Sequence, residues 1–301
     1  EIRARFDAER QALGLMDHVG IAKVFQAGAT DAGEPYFAME LVKGMPITDY
    51  ADSRRLSTNE RLQLFIDVCE AVQHAHQKGV IHRDLKPSNV LVTEADGKAV
   101  PKIIDFGVAK ALGARLSDES FVTHAGQPLG TAAYMSPEQA ESSGIDVDTR
   151  TDIYSLGVLL YMLLVGSLPV DPTGLPIHAF MYRLASGDTQ TPRPSARFVE
   201  LGDYRQGIAA ARRTDPEHLE RTLNGDLDWI AMKSLAPERA RRYETAIGLA
   251  ADVRRYLAHE PVSARPPTTT YRLRKFVRRH RAAVAATSVV SLALIASAVL
   301  A

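Results

Sequence analysis

The interpretation of this chain depends on the stretch His82-Arg83-Asp84-Leu85-Lys86-Pro87-Ser88-Asn89. Two further motifs follow in order: Asp105-Phe106-Gly107, which starts sixteen residues after Asn89, and then Ser136-Pro137-Glu138. Short strand-like segments flank the first two motifs, at residues 80–81, 90–92 and 102–104. One tripeptide carries little information, but three motifs in this order, with strands between them, are not expected by chance.

Through these motifs the chain resembles the eukaryotic-like (Hanks-type) Ser/Thr protein kinase family, and within it the bacterial transmembrane receptor-like kinases. The resemblance covers about residues 1–260. It implies an α+β, bilobal protein-kinase fold with a truncated N-lobe and a mostly helical C-lobe. It also implies that ATP and Mg²⁺ are cofactors, and that the γ-phosphate passes to Ser or Thr hydroxyls of protein substrates.

The resemblance assigns roles to four residues of the first two motifs. Asp84 orients the substrate hydroxyl and accepts its proton, and Lys86 is the cation near the γ-phosphate. Asn89 and Asp105 supply oxygen atoms for magnesium, which prefers such hard ligands. Each of these residues alone fits an ordinary turn, but the set does not.

Two features favour Ser or Thr over Tyr as the residue that is phosphorylated. Lys86 stands two residues after Asp84, as in Ser/Thr kinases, and Gly130-Thr131 precedes the third motif. By the resemblance, the Thr131 hydroxyl contacts the catalytic Asp and Lys. Arg83, directly before Asp84, implies control by phosphorylation of the activation segment, in which two copies of the protein pair and modify each other. The candidate phosphosites are Ser117, Ser120 and Thr123.

Three residues are expected to support the site. By the resemblance, Glu138 pairs with Arg242 in a buried bridge between the activation segment and the last helices. Asp152 starts an apolar helical run that ends near residue 164. By the resemblance, its carboxylate hydrogen-bonds the backbone of the catalytic loop. Residues 171–226 are polar with scattered Pro and Gly, and we expect a loop-rich connection with one or two helices there.

The segment Pro35-Tyr36-Phe37-Ala38-Met39-Glu40-Leu41-Val42 forms a predicted β-hairpin with the strand-like segment before it. By the resemblance it leads into the hinge between the lobes. Met39 is then the gatekeeper, and the main chain of Glu40 and Val42 faces adenine. Leu91 forms the floor of the same pocket.

The first sixteen residues have apolar side chains at helical spacing and predict an amphipathic helix that carries Glu9. By the resemblance, Glu9 pairs with the lysine that positions ATP. The chain contains no Gly-x-Gly-x-x-Gly loop, and we expect that loop and the lysine to precede Glu1. We therefore treat the chain as a fragment and expect little phosphoryl transfer from it alone.

Two other functions stay open. If Glu1 is the true start, a pseudokinase or membrane scaffold becomes the alternative, although Asp84, Asn89 and Asp105 are all present. A phosphotransferase acting on small molecules shares the same chemistry. The long activation segment, which is suited to docking protein substrates, argues against it.

The composition, 46% hydrophobic and 24% charged, is typical of a soluble globular protein. Residues 1–260 contain 29 Lys/Arg and 36 Asp/Glu, so this part is mildly acidic. An acidic body argues against nucleic-acid binding, which needs a basic face. The single cysteine, Cys69, excludes an internal disulfide framework, and its apolar surroundings predict a buried thiol.

The end of the chain has a different character. A Pro/Thr-rich segment precedes residues 271–281, which contain six basic residues, and residues 282–301 carry no charge. Twenty uncharged residues are long enough to span a bilayer, and basic residues collect on the cytoplasmic side. We expect a single-pass protein of the cell membrane with its catalytic domain in the cytoplasm. The alternative is an Ala-rich helix packed on another protein.

The predicted organisation therefore has four parts. They are a partial N-lobe at residues 1–42, a C-lobe at 43–260, a juxtamembrane linker at 261–281 and a transmembrane helix at 282–301.

Overall fold

The structure is a computed structural model of the chain, and it describes residues 16–31, 35–106, 132–141 and 147–279. Several sequence predictions fall outside these residues. They are the helix with Glu9, the phosphosites Ser117, Ser120 and Thr123, the hydroxyl of Thr131, and the membrane span at 282–301.

The strands in the described part form two small antiparallel sheets. Strand β1 (Val24–Ala29) pairs with β2 (Pro35–Met39), so the predicted hairpin is confirmed. Strands β3 (Met45–Pro46), β4 (Val90–Ala95) and β5 (Lys98–Ile103) form the second sheet in the order β3-β4-β5. The Ile103 main chain also bonds the segment before β1, because its carbonyl accepts from Ala22 N–H at 2.9 Å and its N–H donates to Gly20 O at 2.8 Å.

The helices make up most of the described chain. They are α1 (Ile47–Ser53), α2 (Thr58–Gln77), α3 (Pro137–Ala140), α4 (Arg150–Val165), α5 (Ile177–Ala185), α6 (Pro194–Glu200), α7 (Tyr204–Ala210), α8 (Pro216–Leu223), α9 (Asp226–Ser234), α10 (Ala246–Leu257) and α11 (Thr269–Arg279).

Helix α2 starts and stops where its sequence indicates. Ser57 and Glu60 form the predicted capping box: the Glu60 carboxylate accepts from Ser57 N–H at 2.7 Å, and Ser57 Oγ accepts from Glu60 N–H at 3.4 Å. The helix ends just before Gly79, whose φ of +77° is the left-handed conformation that glycine adopts at little cost. Its apolar face is buried against α4 and α10.

Helix α4 is the centre of the helical lobe. It is buried along almost its whole length, as its continuous apolar sequence predicts. Close contact with α9 requires Gly157, because a Cβ at this position would lie 2.7 Å from Ser234 Cβ. The helix ends at Gly166, which has a φ of +75°.

The prediction of a loop-rich segment with one or two helices at 171–226 was wrong, because four helices, α5 to α8, lie there. The error came from reading proline as a breaker. Pro194 and Pro216 stand at the first positions of α6 and α8, where a missing N–H costs no hydrogen bond and the fixed φ favours the helix.

The predicted linker at 261–281 contains helix α11, which packs against the kinase-like body. Tyr271 is buried, and its hydroxyl accepts a hydrogen bond from Val262 N–H at 3.0 Å. Among the residues that the structure describes, no helix is long and apolar enough to cross a bilayer.

Candidate active site

Asp152 ties the loop that carries the first motif to helix α4. It lies in the first turn of α4 and is fully buried. Its two carboxylate oxygens accept hydrogen bonds from the main-chain N–H groups of His82 and Arg83, each at 2.8 Å. Arg83 has a φ of +64°, an uncommon conformation for a residue with a side chain, so these bonds stabilise a backbone that would otherwise relax.

His76 is a further partner of Asp152 that the sequence analysis did not identify. It lies in the last turn of α2, and its Nε2 is 2.7 Å from Asp152 Oδ2. Burial alone would raise the pKa of Asp152, but the hydrogen bond and charge of His76, with the contribution of His82, outweigh burial and lower it. Asp152 is therefore an anion in the folded protein.

His82 is held in its neutral form by burial, which lowers its pKa. Its Nδ1 accepts a hydrogen bond from Asp84 N–H at 3.3 Å, so the proton is on Nε2, which donates to Ile104 O at 3.2 Å. The ring also packs on Phe106, with ring centroids 4.7 Å apart. His82 thereby connects the catalytic loop to the segment that carries Asp105.

Asp84, Lys86 and Asn89 meet at the surface of this loop. Lys86 Nζ lies 2.9 Å from Asp84 Oδ2. Asn89 donates its amide to the Asp84 carbonyl at 2.9 Å and to Asp84 Oδ2 at 3.2 Å. The Asp84 side chain is 21% exposed, so it is accessible to a substrate while two donors fix its orientation.

Asn89 and Asp105 have the chemistry and the placement for magnesium. Ile104 N–H donates to Asn89 O at 2.9 Å, and this bond brings Asp105 next to Asn89. The side-chain nitrogen of Asn89 donates to Asp84, so the side-chain oxygen of Asn89 is left to bind a cation. Asp105 is exposed and has a φ of +58°. An amide oxygen and a carboxylate fit Mg²⁺, which takes its other ligands from phosphates and water. Among the described residues no group of three His, Cys, Asp or Glu forms a metal site.

In the predicted hinge segment, the main-chain groups that we expect to face adenine have no main-chain partner in the described part of the chain. Glu40 N–H donates to Lys23 O at 2.8 Å, and the Glu40 carboxylate pairs with Lys102 Nζ at 2.6 Å. Neither the Glu40 carbonyl nor the Val42 N–H makes a main-chain hydrogen bond there. Met39 is 37% exposed, and Leu91 lies close to the main chain just after this segment, since a Cβ on Gly44 would lie 3.1 Å from Leu91 Cβ.

Glu138 and Arg242 form a two-bond ion pair across 104 residues of sequence. The N–O distances are 2.7 and 2.8 Å, and the Arg242 side chain is fully buried. Arg242 also donates to the carbonyls of Ala236, Pro237 and Arg150. Burial acts to raise the pKa of Glu138, but the bond and charge of Arg242 prevail and lower it.

Gln139 is a second contact that the sequence analysis missed. Its side-chain amide donates to the Arg83 carbonyl at 2.7 Å, so helix α3 is attached directly to the catalytic loop. No local pattern around Gln139 indicates this bond, because its partner lies 56 residues earlier in the chain. The end of the activation segment and the catalytic loop are therefore held as one unit.

The fold and this arrangement of residues define a protein kinase domain. The chain belongs to the protein kinase domain family, whose model matches residues 2–193.

Among similar curated proteins is the serine/threonine-protein kinase Pkn1 of Myxococcus xanthus, which is 39% identical over 87% of this chain and 40% of its own length. PknB of Mycobacterium tuberculosis is 34% identical over 86% of this chain and 37% of its own length. The chain thus spans about two fifths of the length of these relatives. The crystal structure of the kinase domain of M. tuberculosis PknI, a double mutant, superposes with a TM-score of 0.55 at 25% identity, covering 84% of this chain and 78% of that one.

Proposed function

We propose that this chain is the catalytic part of an ATP- and magnesium-dependent protein Ser/Thr kinase. The observation that carries the proposal is the geometry around Asp84. Its carboxylate lies within 3.2 Å of both Lys86 Nζ and the Asn89 amide, on a loop whose main chain is bonded to buried Asp152. The relatives Pkn1 and PknB are serine/threonine-protein kinases, which supports the same activity here.

The residues divide the work of phosphoryl transfer. Asp84 accepts a hydrogen bond from the substrate hydroxyl and takes its proton as the new bond from oxygen to phosphorus forms and the bond to ADP breaks. Lys86, whose Nζ is 2.9 Å from Asp84 Oδ2, would lie beside the attacking oxygen and compensate the charge of the transferred phosphoryl group. Asn89 and Asp105 are the residues that would hold magnesium, which neutralises phosphate charge when bound. We expect the Glu40 carbonyl and the Val42 N–H to recognise adenine.

The test is phosphate transfer to a generic protein substrate by the protein as its gene encodes it. We expect Asp84→Asn to lower the rate roughly 10²–10⁴-fold, the usual contribution of a general base, with ATP binding unchanged. Asp188→Asn, the same change at an exposed position of the helical lobe, is the matched control and should leave the rate unaltered. No transfer by the wild-type protein, together with retained partner binding, would instead support a scaffold.

We also propose that residues 282–301 anchor the kinase in the cell membrane with its catalytic part in the cytoplasm. Support comes from the twenty uncharged residues and from the six basic residues at 271–281 that precede them. Extraction of membranes with alkaline carbonate tests this proposal, since a spanning protein stays in the pellet. Release into the supernatant would refute it.

Activation by mutual phosphorylation within a homodimer completes the proposal. Arg83 and the hydroxyls of Ser117, Ser120 and Thr123 support it, because an added phosphate on the activation segment can pair with arginine. Mass spectrometry after incubation with ATP should locate phosphate between Asp105 and Thr131. Phosphate found only elsewhere in the chain would contradict this mechanism.

A further inference from the structure

A basic cavity lies on the helical lobe, built from segments other than those of the catalytic loop. Its volume is about 560 Å³, and it is lined by the first residues of α2, the turn after α7, helix α8, the end of α10 and helix α11. The lining contains one carboxylate, Asp226, and six Lys/Arg side chains, which are Arg212, Arg213, Arg221, Arg265, Arg274 and Lys275. The positive end of the α2 dipole adds to this charge.

The carboxylates at the cavity do not neutralise these cations. Asp226 pairs with both Lys275, at 2.5 Å, and Arg265, at 3.3 Å. Glu60, beside the cavity, pairs with Arg213. Within the residues that the structure describes, the other three cations, Arg212, Arg221 and Arg274, have no carboxylate partner. The cavity therefore carries a net positive charge without a ligand.

Arg212 gives an independent indication of an anion. Its side chain is buried, with a relative exposure of 2%. Its two terminal nitrogens donate to the carbonyls of Ile208 in α7 and of Met162 and Leu163 near the end of α4. Its Nε has no acceptor in the described part of the chain. Burial and then the charge of Arg61 lower the pKa of Arg212 to about 9. An anion in the cavity would stabilise the charged form of this buried cation.

Helix α11 indicates which kind of anion could reach the cavity. Tyr271 and Lys275 face the body of the protein, while Leu273, Phe276 and Val277 are 61%, 56% and 40% exposed on the opposite side. Basic residues, including Arg272 and Arg279, flank this exposed apolar face. A helix with basic and apolar residues arranged in this way lies at the boundary between lipid headgroups and acyl chains.

We infer that the cavity binds the phosphate group of an anionic phospholipid while the exposed face of α11 inserts into the same bilayer. The uncharged run 282–301 begins three residues after α11 ends, so a membrane would lie next to the cavity. The inference rests in this respect on the proposed membrane anchor. It goes beyond the anchor because it makes the kinase body contact the lipid and respond to the charge of the lipid.

The experiment places the full chain in nanodiscs of phosphatidylcholine with increasing fractions of phosphatidylglycerol and follows amide hydrogen exchange. We expect phosphatidylglycerol to slow exchange in residues 212–225 and 269–279, and high salt to weaken the effect. Replacing both Arg221 and Arg274 with Gln removes two exposed cations without breaking a carboxylate pair. Each cation is worth about fivefold in affinity near an anionic surface, so the phosphatidylglycerol fraction for half-maximal slowing should rise roughly 25-fold. That is more than a bilayer can contain, so the slowing of exchange should disappear. Arg183→Gln on exposed α5 is the matched control, and thermal melting verifies that the double variant is folded.

Several results would overturn the inference. Equal exchange in neutral and anionic nanodiscs refutes the headgroup site while leaving the anchor intact. If the slowing of exchange persists in the double variant, or disappears in Arg183→Gln, the lipid is attracted to basic residues in general and not to the cavity. Slowing by inorganic phosphate, or by a phosphorylated activation-segment peptide, in neutral nanodiscs assigns the cavity to a free anion or a phosphoprotein. If the chain does not stay in neutral nanodiscs, the anchor fails, and flotation with phosphatidylglycerol against phosphatidylcholine vesicles then decides the headgroup site alone.

Discussion

Replacing Asp152 with Asn tests whether one buried carboxylate holds the catalytic loop in shape. In the native protein its oxygens accept from His82 N–H, Arg83 N–H and His76 Nε2, at 2.8, 2.8 and 2.7 Å. Asn has a single acceptor oxygen, so its NH₂ group must face one of the two main-chain N–H groups. A histidine ring nitrogen can exist without its hydrogen and then accept a hydrogen bond, but a main-chain N–H always remains a donor.

The expected cost follows from these three bonds. A buried N–H left without an acceptor costs about 1–3 kcal/mol, and each remaining bond to a neutral acceptor instead of a charged one is weaker by about 1 kcal/mol. We expect Asp152→Asn to lower the free energy of unfolding by about 3–5 kcal/mol, measured by urea titration. Asp188→Asn, on the surface, should change it by less than about 0.5 kcal/mol. A loss below about 1 kcal/mol for Asp152→Asn would refute the reasoning.

The pH dependence gives a second test of the same variant. The pKa of Asp152 is lowered in the folded protein, so its stabilisation is fully present above the unfolded value of about 3.9 and is lost as the pH falls below it. The difference between wild type and Asp152→Asn should therefore stay constant from neutral pH to about pH 5 and shrink in stronger acid. A difference that shrinks already near pH 6 would implicate a histidine instead.

Three more predictions concern the core. Arg242→Ala removes the cation from the Glu138 carboxylate, whose side chain is only 12% exposed, so the free energy of unfolding should fall by about 3–5 kcal/mol in urea titration. Arg241→Ala, at an exposed position, should have little effect, and equal effects of the two variants would contradict the role of the ion pair. Gly157→Ala places a methyl group 2.7 Å from Ser234 Cβ and should lower the free energy of unfolding by about 1–3 kcal/mol. Gly207→Ala, where the space is open, should leave this free energy unchanged or raise it slightly. No change for Gly157→Ala would mean that α4 and α9 separate easily. Cys69 is fully buried, and burial raises the pKa of its thiol well above the ordinary value, so iodoacetamide should label it only as the protein unfolds; rapid labelling of the native protein would show that α2 opens locally.

Much of the site was predictable because short motifs carry it. Asp84, Lys86 and Asn89 lie within six residues of one another, and the structure brings their side chains together. The hairpin, α2 and α4 follow from periodicity and capping residues. Residues 171–226 show the limit of that reasoning, because α6 and α8 are only seven and eight residues long and begin with proline.

Contacts between distant segments were not predictable from local patterns. Nothing in the local sequence distinguishes His76 from other residues at the end of a helix, so its contact with Asp152 was not predicted. The residues around Gln139 likewise do not indicate its hydrogen bond to Arg83. Helix α11 was predicted as part of a linker, because the sequence does not indicate that Asp226 and Tyr256 contact this basic segment.

The sequence by itself determined the protein class, the order of the catalytic groups and the positions of the long helices, because each depends on residues within a few turns of one another. Only the tertiary structure decided how many donors surround each carboxylate and which cations are left without a carboxylate. Asp152 is matched by three donors from two other segments, whereas Arg221 and Arg274 meet in a cavity without a carboxylate of their own. The physical reason is that electrostatic and hydrogen-bond energies depend on distances in space, and chain folding sets these distances for residues that are far apart in sequence.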